Sequence, residues 1–263
     1  MKKISFIVFV FLFSAFHTGD FVLLSTIPGS YSFMTTDNLG NVYTVSGCEF
    51  KKFSSDGVLI KSFSDKSHGD IAFADASDPL KILLFYHDFR QIIFLDNTLS
   101  INGDVIDLDK LELLQPLLAC SSYENGFWVY DQQDFQLIRF DKNLQRSNSS
   151  GNITQLTGVD IKPNYLIETN NMVYLNNPET GILVFDKYGT YSKTLPIKQL
   201  NSFQIIGDNL VYASELQLIE YNFKTFVQKS STLPVKKVLD CDFANDKIFI
   251  RDSSGISVYS VVK

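Results

Sequence analysis

Short apolar runs separated by clusters of Gly, Asn, Asp and Ser recur along this chain, and no long segment carries the 3.6-residue spacing of a helix packed on a core. Six runs share one pattern: residues 41–45, 82–86, 126–130, 172–175, 210–212 and 247–250. Each follows a turn built from residues that tolerate positive φ, among them Gly40, Asp78, Asn125, Asn170, Asp208 and Asn245. Roughly ten residues after each run comes another apolar strand that ends in an aromatic. A second turn and a shorter strand follow. Further apolar segments precede the units, at 71–74, 117–120, 165–167, 203–206 and 238–241.

The aromatic markers Phe53, Phe94, Phe140, Phe185, Tyr221 and Tyr259 are spaced by 41, 46, 45, 36 and 38 residues, a period near 40. Four antiparallel strands in a unit of that length describe the blade of a β-propeller. With residues 1–19 set aside, 244 residues divide into six units of about 41. The expected fold class is all-β: a six-bladed β-propeller of four-stranded antiparallel blades, with 20–263 as a single domain. The last unit has room for three strands only, so the isolated strand at 21–27 is expected to supply its outer strand. That pairing joins the chain ends and removes an exposed sheet edge. Residues 109–118 are the best helical candidate, expected to amount to about one turn, and 146–151 read as a polar loop.

The segments Phe53-Ser54-Ser55-Asp56-Gly57-Val58-Leu59 and Leu183-Val184-Phe185-Asp186-Lys187-Tyr188-Gly189-Thr190 resemble the strand–turn–strand core of NHL-type and related six-bladed propellers. The chain as a whole resembles secreted bacterial six-bladed propeller proteins. The turns Asp96-Asn97-Thr98 and Asp141-Lys142-Asn143 depart from the pattern by lacking its glycine. The resemblance implies architecture rather than activity, because the fold hosts many unrelated functions.

Lys2 and Lys3 followed by an almost unbroken apolar run from Ile4 to Phe13 have the layout of a secretory signal peptide, which assigns 1–19 to a leader. The run is short for an ordinary spanning helix, so no transmembrane span is expected in the mature chain. A periplasmic or cell-surface location follows. Formal net charge is −6, and removal of the leader would make it −8, with 21 basic against 29 acidic residues. That balance disfavours a nucleic-acid partner. Cys48, Cys120 and Cys241 are too few and too irregular for a disulfide framework. Cys120 and Cys241 lie in apolar strands and are expected to be buried thiols.

In a ring of this kind the connections between second and third strands gather on one face. They place His87, Asp88, Phe89, Arg90, Asp131, Gln133, Asp134, Phe135, Glu179, Glu215, Arg251 and Asp252 on a common rim, the candidate binding surface. Asp88-Phe89 and Asp134-Phe135 occupy matching positions, and the two Phe rings are expected to plug gaps between blades, the alternative being that an aromatic beside a carboxylate forms part of a partner-binding patch. Asp240 and Asp242 flank Cys241 on an inner strand, where they would face the channel and hold water or a cation.

No catalytic residues are assigned. His68 and His87 lack a metal-ligand spacing, and no nucleophile elbow or phosphate loop occurs. Asp104, Asp107 and Asp109 alternate as hard-cation ligands can, but fit better an exposed strand entering a turn. No metal and no cofactor is expected. The leading expectation is a non-enzymatic envelope scaffold that binds an envelope protein, for example within an outer-membrane-associated assembly. The alternatives are a propeller-type hydrolase or lyase, metal-assisted or not, and a glycan or small-molecule binder.

Overall fold

A computed structural model of the chain describes residues 21–261. The leader assigned to 1–19 lies outside the described residues. Twenty-four strands form six four-stranded antiparallel sheets. Blade 1 comprises Phe33–Thr36, Val42–Ser46, Glu49–Phe53 and Leu59–Ser64. Blade 2 comprises Phe73–Asp75, Ile82–Tyr86, Gln91–Leu95 and Ile106–Asp107. Blade 3 comprises Pro116–Ser121, Phe127–Asp131, Gln136–Phe140 and Arg146–Ser149. Blade 4 comprises Tyr165–Thr169, Met172–Asn177, Gly181–Asp186 and Tyr191–Leu195. Blade 5 comprises Gln204–Ile206, Asn209–Ser214, Gln217–Asn222 and Gln228–Thr232. Blade 6 has Asp240–Ala244, Lys247–Arg251 and Gly255–Val261, and its outer strand is Phe21–Pro28 from the other end of the chain.

The architecture is thus the six-bladed propeller expected from the period, closed as expected by the first strand. Phe21 pairs with Val261 and Ile27 with Ile256, with a register shift between Leu23 and Ser25. Gly255 takes φ 145° where the third strand begins, and a Cβ there would run into the Ile27 carbonyl. Only glycine allows the closing strand to lie this close.

Middle strands are buried on both faces, which is why they read as unbroken apolar runs. Outer strands are more exposed, and in blades 3 and 5 they are also polar. Arg146–Ser149, expected as a polar loop, is such a strand, with Arg139 opposite Asn148. The helical candidate at 109–118 amounts to the single turn expected of it. Asp109–Leu111 is a 3-10 turn, and Pro116–Ser121 is the inner strand of blade 3. The one α-helix among the described residues is Ile153–Thr157, capped by the Asn152 side chain accepting from the Gln155 amide at 2.9 Å.

Six apolar clusters fill the six spaces between neighbouring blades. The seam cluster joins Ile27, Phe249, Ile256 and Val258 of blade 6 to Met34, Val42 and Phe53 of blade 1. The turns after the aromatic markers explain the missing glycines. Asp96, Asp141 and Asp186 each accept backbone amides two and four residues ahead, at 2.8–2.9 Å. The next residue but two then takes positive φ: Gly57 and Gly189 where glycine is present, Leu99 at 58° and Leu144 at 61° where it is not. Leu99 is buried and Leu144 packs on the blade 2–3 cluster, so apolar burial offsets the backbone strain.

Ile27 is 1% exposed at the seam and Leu23 on the same strand is 54% exposed. Ile27→Ala is expected to cost about 2–5 kcal/mol in chemical denaturation, whereas Leu23→Ala should stay within about 0.5 kcal/mol. Equal stabilities would mean that the closing strand is not bound in solution.

Candidate functional site

The second-to-third-strand turns do share one face, but they are stiff and separate. Gly47, Arg90, Phe135 and Glu215 take φ values of 58°, 49°, 51° and 54° at their tips. Among the described residues, no hydrogen bond or ion pair joins one of these turns to another. The rim residues therefore behave as individuals.

His87 and Asp88 are exposed, with the imidazole Nδ1 3.3 Å from Asp88 Oδ1. Phe89 stands 51% exposed with its ring over Gly69. Arg90 grips Asp109 through two bonds, Nη2 donating to Oδ2 at 2.8 Å and Nε to Oδ1. This raises the guanidinium pKa and lowers that of the Asp109 carboxyl. Asp109 thus acts as a turn clamp, and Asp107 accepts its amide at 3.0 Å. Gln133 and Asp134 are exposed, and Gln136 Nε2 donates to Asp134 at 3.3 Å. Phe135 differs from Phe89, since it packs on the cluster between blades 3 and 4. The plugging expected of both rings is found for Phe135. Glu179 faces Lys162 at 3.8 Å, and Glu215 is exposed. Asp252 folds back on Ser254, whose amide and hydroxyl both donate to it, and these bonds lower its pKa.

Two rim candidates turn inward. Asp131 is buried, its Oδ1 accepting the amides of Gln115 at 3.2 Å and Gln133 at 3.1 Å. Arg251, the last residue of its strand, reaches into the ring. Its Nη1 donates to the Tyr31 carbonyl at 2.9 Å, and its Nε lies 3.9 Å from Asp240 Oδ2.

The inner strands converge on a channel that is plugged midway. Phe33 stacks on Phe73 at 6.5 Å, Phe73 meets Tyr165 edge-on at 5.7 Å, and Tyr165 meets Phe203 at 5.2 Å. Above and below lie two cavities of about 280 Å³ each, and Thr35, Tyr165 and Asp242 touch both. The rim-side cavity also meets Asp240, Ser202 and Arg251; the opposite one meets Asp75, Glu168 and Gln204.

Many of these polar groups fasten one blade to the next. Asp75 accepts the Ser121 amide at 2.8 Å, and Gln204 accepts the Phe243 amide at 2.6 Å. Glu168 accepts Trp128 Nε1 at 2.7 Å and the Ser122 hydroxyl. At the seam, Asp240 Oδ2 accepts the Met34 amide at 3.4 Å and Asp242 Oδ2 accepts the Thr36 hydroxyl at 3.3 Å. Burial pushes the Asp242 carboxyl well up, and neighbouring Asp240 adds to it. Asp240 is raised by burial against the opposing effects of Ser202 and Arg251. The Tyr165 hydroxyl is pushed up by burial and by Asp242, Asp75 and Asp240.

Asp240 and Asp242 occupy the channel as the sequence led one to expect. Tyr165, Asp75, Glu168 and Gln204 were missed as site residues. Asp75 and Glu168 directly follow the apolar segments that mark two inner strands, and a polar side chain ending such a strand was the available signal. Cys48, Cys120 and Cys241 are free thiols, and burial raises the pKa of Cys120 and Cys241.

No family model and no curated protein matches the chain. Solved structures do. The Pan2 WD40 domain of Neurospora crassa superposes with a TM-score of 0.63 at 12% identity, covering 94% of this chain and 97% of that one. The likeness is one of fold. Virginiamycin B lyase of Staphylococcus aureus, solved with quinupristin, gives 0.57 at 11% identity over 87% and 80% of the two chains. BBS1N in complex with ARL6DN gives 0.58 at 11% identity over 89% and 78%. The same wheel of blades thus serves both a lyase and a protein in a complex.

Two outcomes follow from the site. Phe135→Ala should lose about 1–3 kcal/mol of stability, and Phe89→Ala should change it by less than about 0.5 kcal/mol. Asp242 has a folded pKa above its unfolded value, so its cost is absent below about pH 4 and grows as pH rises through the folded value. Asp242→Asn should therefore melt higher than wild type at pH 7, with the gain shrinking toward pH 4. A gain unchanged across that range would mean that Asp242 does not titrate abnormally.

Proposed function

We propose that this protein is an exported cell-envelope propeller that acts as a non-enzymatic scaffold and binds a protein partner on its loop rim. The observation that carries this reading is Phe89, a large aromatic held out to solvent on a turn that cannot easily collapse. Its neighbour Arg90 has a left-handed backbone, and the pair with Asp109 ties the turn down. An exposed aromatic beside Asp88 and Arg90 has the composition of an interface anchor, and rigidity lowers the ordering cost of binding. Asp134 and Gln133 on the next blade supply polar contacts of rim type.

Export is supported by the Lys2-Lys3 start and the apolar run from Ile4 to Phe13. Among the described residues no helix is long and apolar enough to cross a membrane. The fold neighbour solved with ARL6DN is consistent with a scaffold role, as a likeness of architecture.

The test uses the full chain in cells, with a photo-cross-linking residue at position 89 or at position 188. Tyr188 is 56% exposed on a third-to-fourth-strand turn, on the opposite face. Discrete adducts from 89 and none from 188 are expected, and Asp88→Ala with Asp134→Ala should reduce them several-fold. Adducts from 188 alone, or none from 89, would remove the rim from consideration.

A further inference from the structure

The rim-side cavity carries an imbalance of charge. Two carboxyl groups, Asp240 and Asp242, line it together with one cation, Arg251. Arg251 answers Asp240 incompletely. Its Nη1 is engaged by the Tyr31 carbonyl, and its buried Nε makes no hydrogen bond and stops 3.9 Å from Asp240 Oδ2. Asp242 has no cationic partner among the described residues. Its hydrogen-bonding partner is the neutral Thr36, through the hydroxyl at 3.3 Å and through the backbone. A buried carboxylate without a counter-charge is costly, so the group is held by a proton or by a cation that enters.

Tyr165 supplies an independent observation. It lies deep in the channel, touches both cavities, and its hydroxyl forms no hydrogen bond within the described residues. It is close enough to Asp242 and Asp240 to feel their charges. Tyr165 is half-buried and lines the cavity, so its phenol oxygen, free of hydrogen bonds within the described residues, is open to accept from a ligand's N–H.

The chemistry of the walls narrows that donor. No group of three or more His, Cys, Asp and Glu side chains converges as a metal cage among the described residues. An ammonium group has three N–H donors and no acceptor, which suits two carboxyls and a phenol oxygen. It also gains from aromatic faces, and the stacked rings of Phe33 and Phe73 offer an apolar lining for an alkyl stem. We propose that the rim-side mouth of the channel binds a primary ammonium group, with Asp240, Asp242 and the Tyr165 hydroxyl oxygen as its acceptors. The ligand is a free alkylamine or the lysine side chain of a partner. The site stands on the channel residues and is independent of Phe89.

The test titrates the full-length protein with n-butylamine hydrochloride, with a blocked tripeptide carrying one central lysine, and with tetramethylammonium chloride at matched ionic strength, read by calorimetry and thermal unfolding. Saturable binding of butylamine with a rise in melting temperature is expected, with no such response to tetramethylammonium, which has no N–H to donate. Asp242→Asn and Tyr165→Phe should each weaken butylamine binding tenfold or more. The first variant is expected to fold more stably than wild type at neutral pH, and the second keeps the ring, so loss of binding would not reflect loss of fold. Binding of the peptide as well as butylamine identifies a lysine side chain as a ligand; binding of butylamine alone identifies a small amine. The proposal is overturned if neither primary amine binds saturably, if tetramethylammonium binds equally well, or if Asp242→Asn retains full affinity. Cross-linking from position 89 is unaffected by any of these results.

Discussion

A four-stranded blade is apolar on both faces, and it is stable only between two neighbours. Six such blades therefore either close into a ring or leave two sheet faces in water. Everything in this molecule follows from that constraint. The strand Phe21–Pro28 ties the last blade to the chain's beginning, and Ile27 buries itself in the same cluster as Met34 and Phe53 of blade 1. With the seam closed, all six spaces between blades hold an apolar cluster.

Closure also creates the channel and forces polar chemistry into it. Inner strands approach one another edge to edge, so their amides need acceptors that strand pairing does not supply. Asp75, Gln204 and Asp240 fill that need from side chains of the adjacent blade, and at the seam Asp242 accepts the Thr36 hydroxyl. The seam uses two carboxyls where the other junctions use fewer, and it is there that charge is left unbalanced. The structural role and the candidate binding role of Asp242 thus share a single cause.

The rim obeys a different logic. Four of its turns carry a left-handed residue at the tip, and among the described residues the turns do not contact one another through polar bonds. Matching sequence positions acquire different roles there. Phe135 fills space between blades and Phe89 stands in solvent, although both follow an aspartate at the same place in the repeat. The neighbouring packing decides which: Phe135 meets the cluster of blades 3 and 4, while Phe89 lies over Gly69 on the surface.

Blade number, strand order and closure were legible in the sequence because each rests on local periodicity. An apolar strand, a turn residue and an aromatic marker repeat whatever lies beside them. The outer strand Arg146–Ser149 was not legible, since a polar strand wet on one face and unpaired on one edge needs no apolar pattern. The inward turn of Asp131 and Arg251 was equally hidden, because their sequence neighbours are loop residues and their partners, Gln115 and Tyr31, come from other segments. Local spacing determined the wheel. Only the folded ring decided which polar side chains meet at its axis: Asp242 and Arg251 come from paired strands of blade 6, but Tyr165 of blade 4 and the Tyr31 carbonyl that holds Arg251 are far away along the chain and reach them through closure.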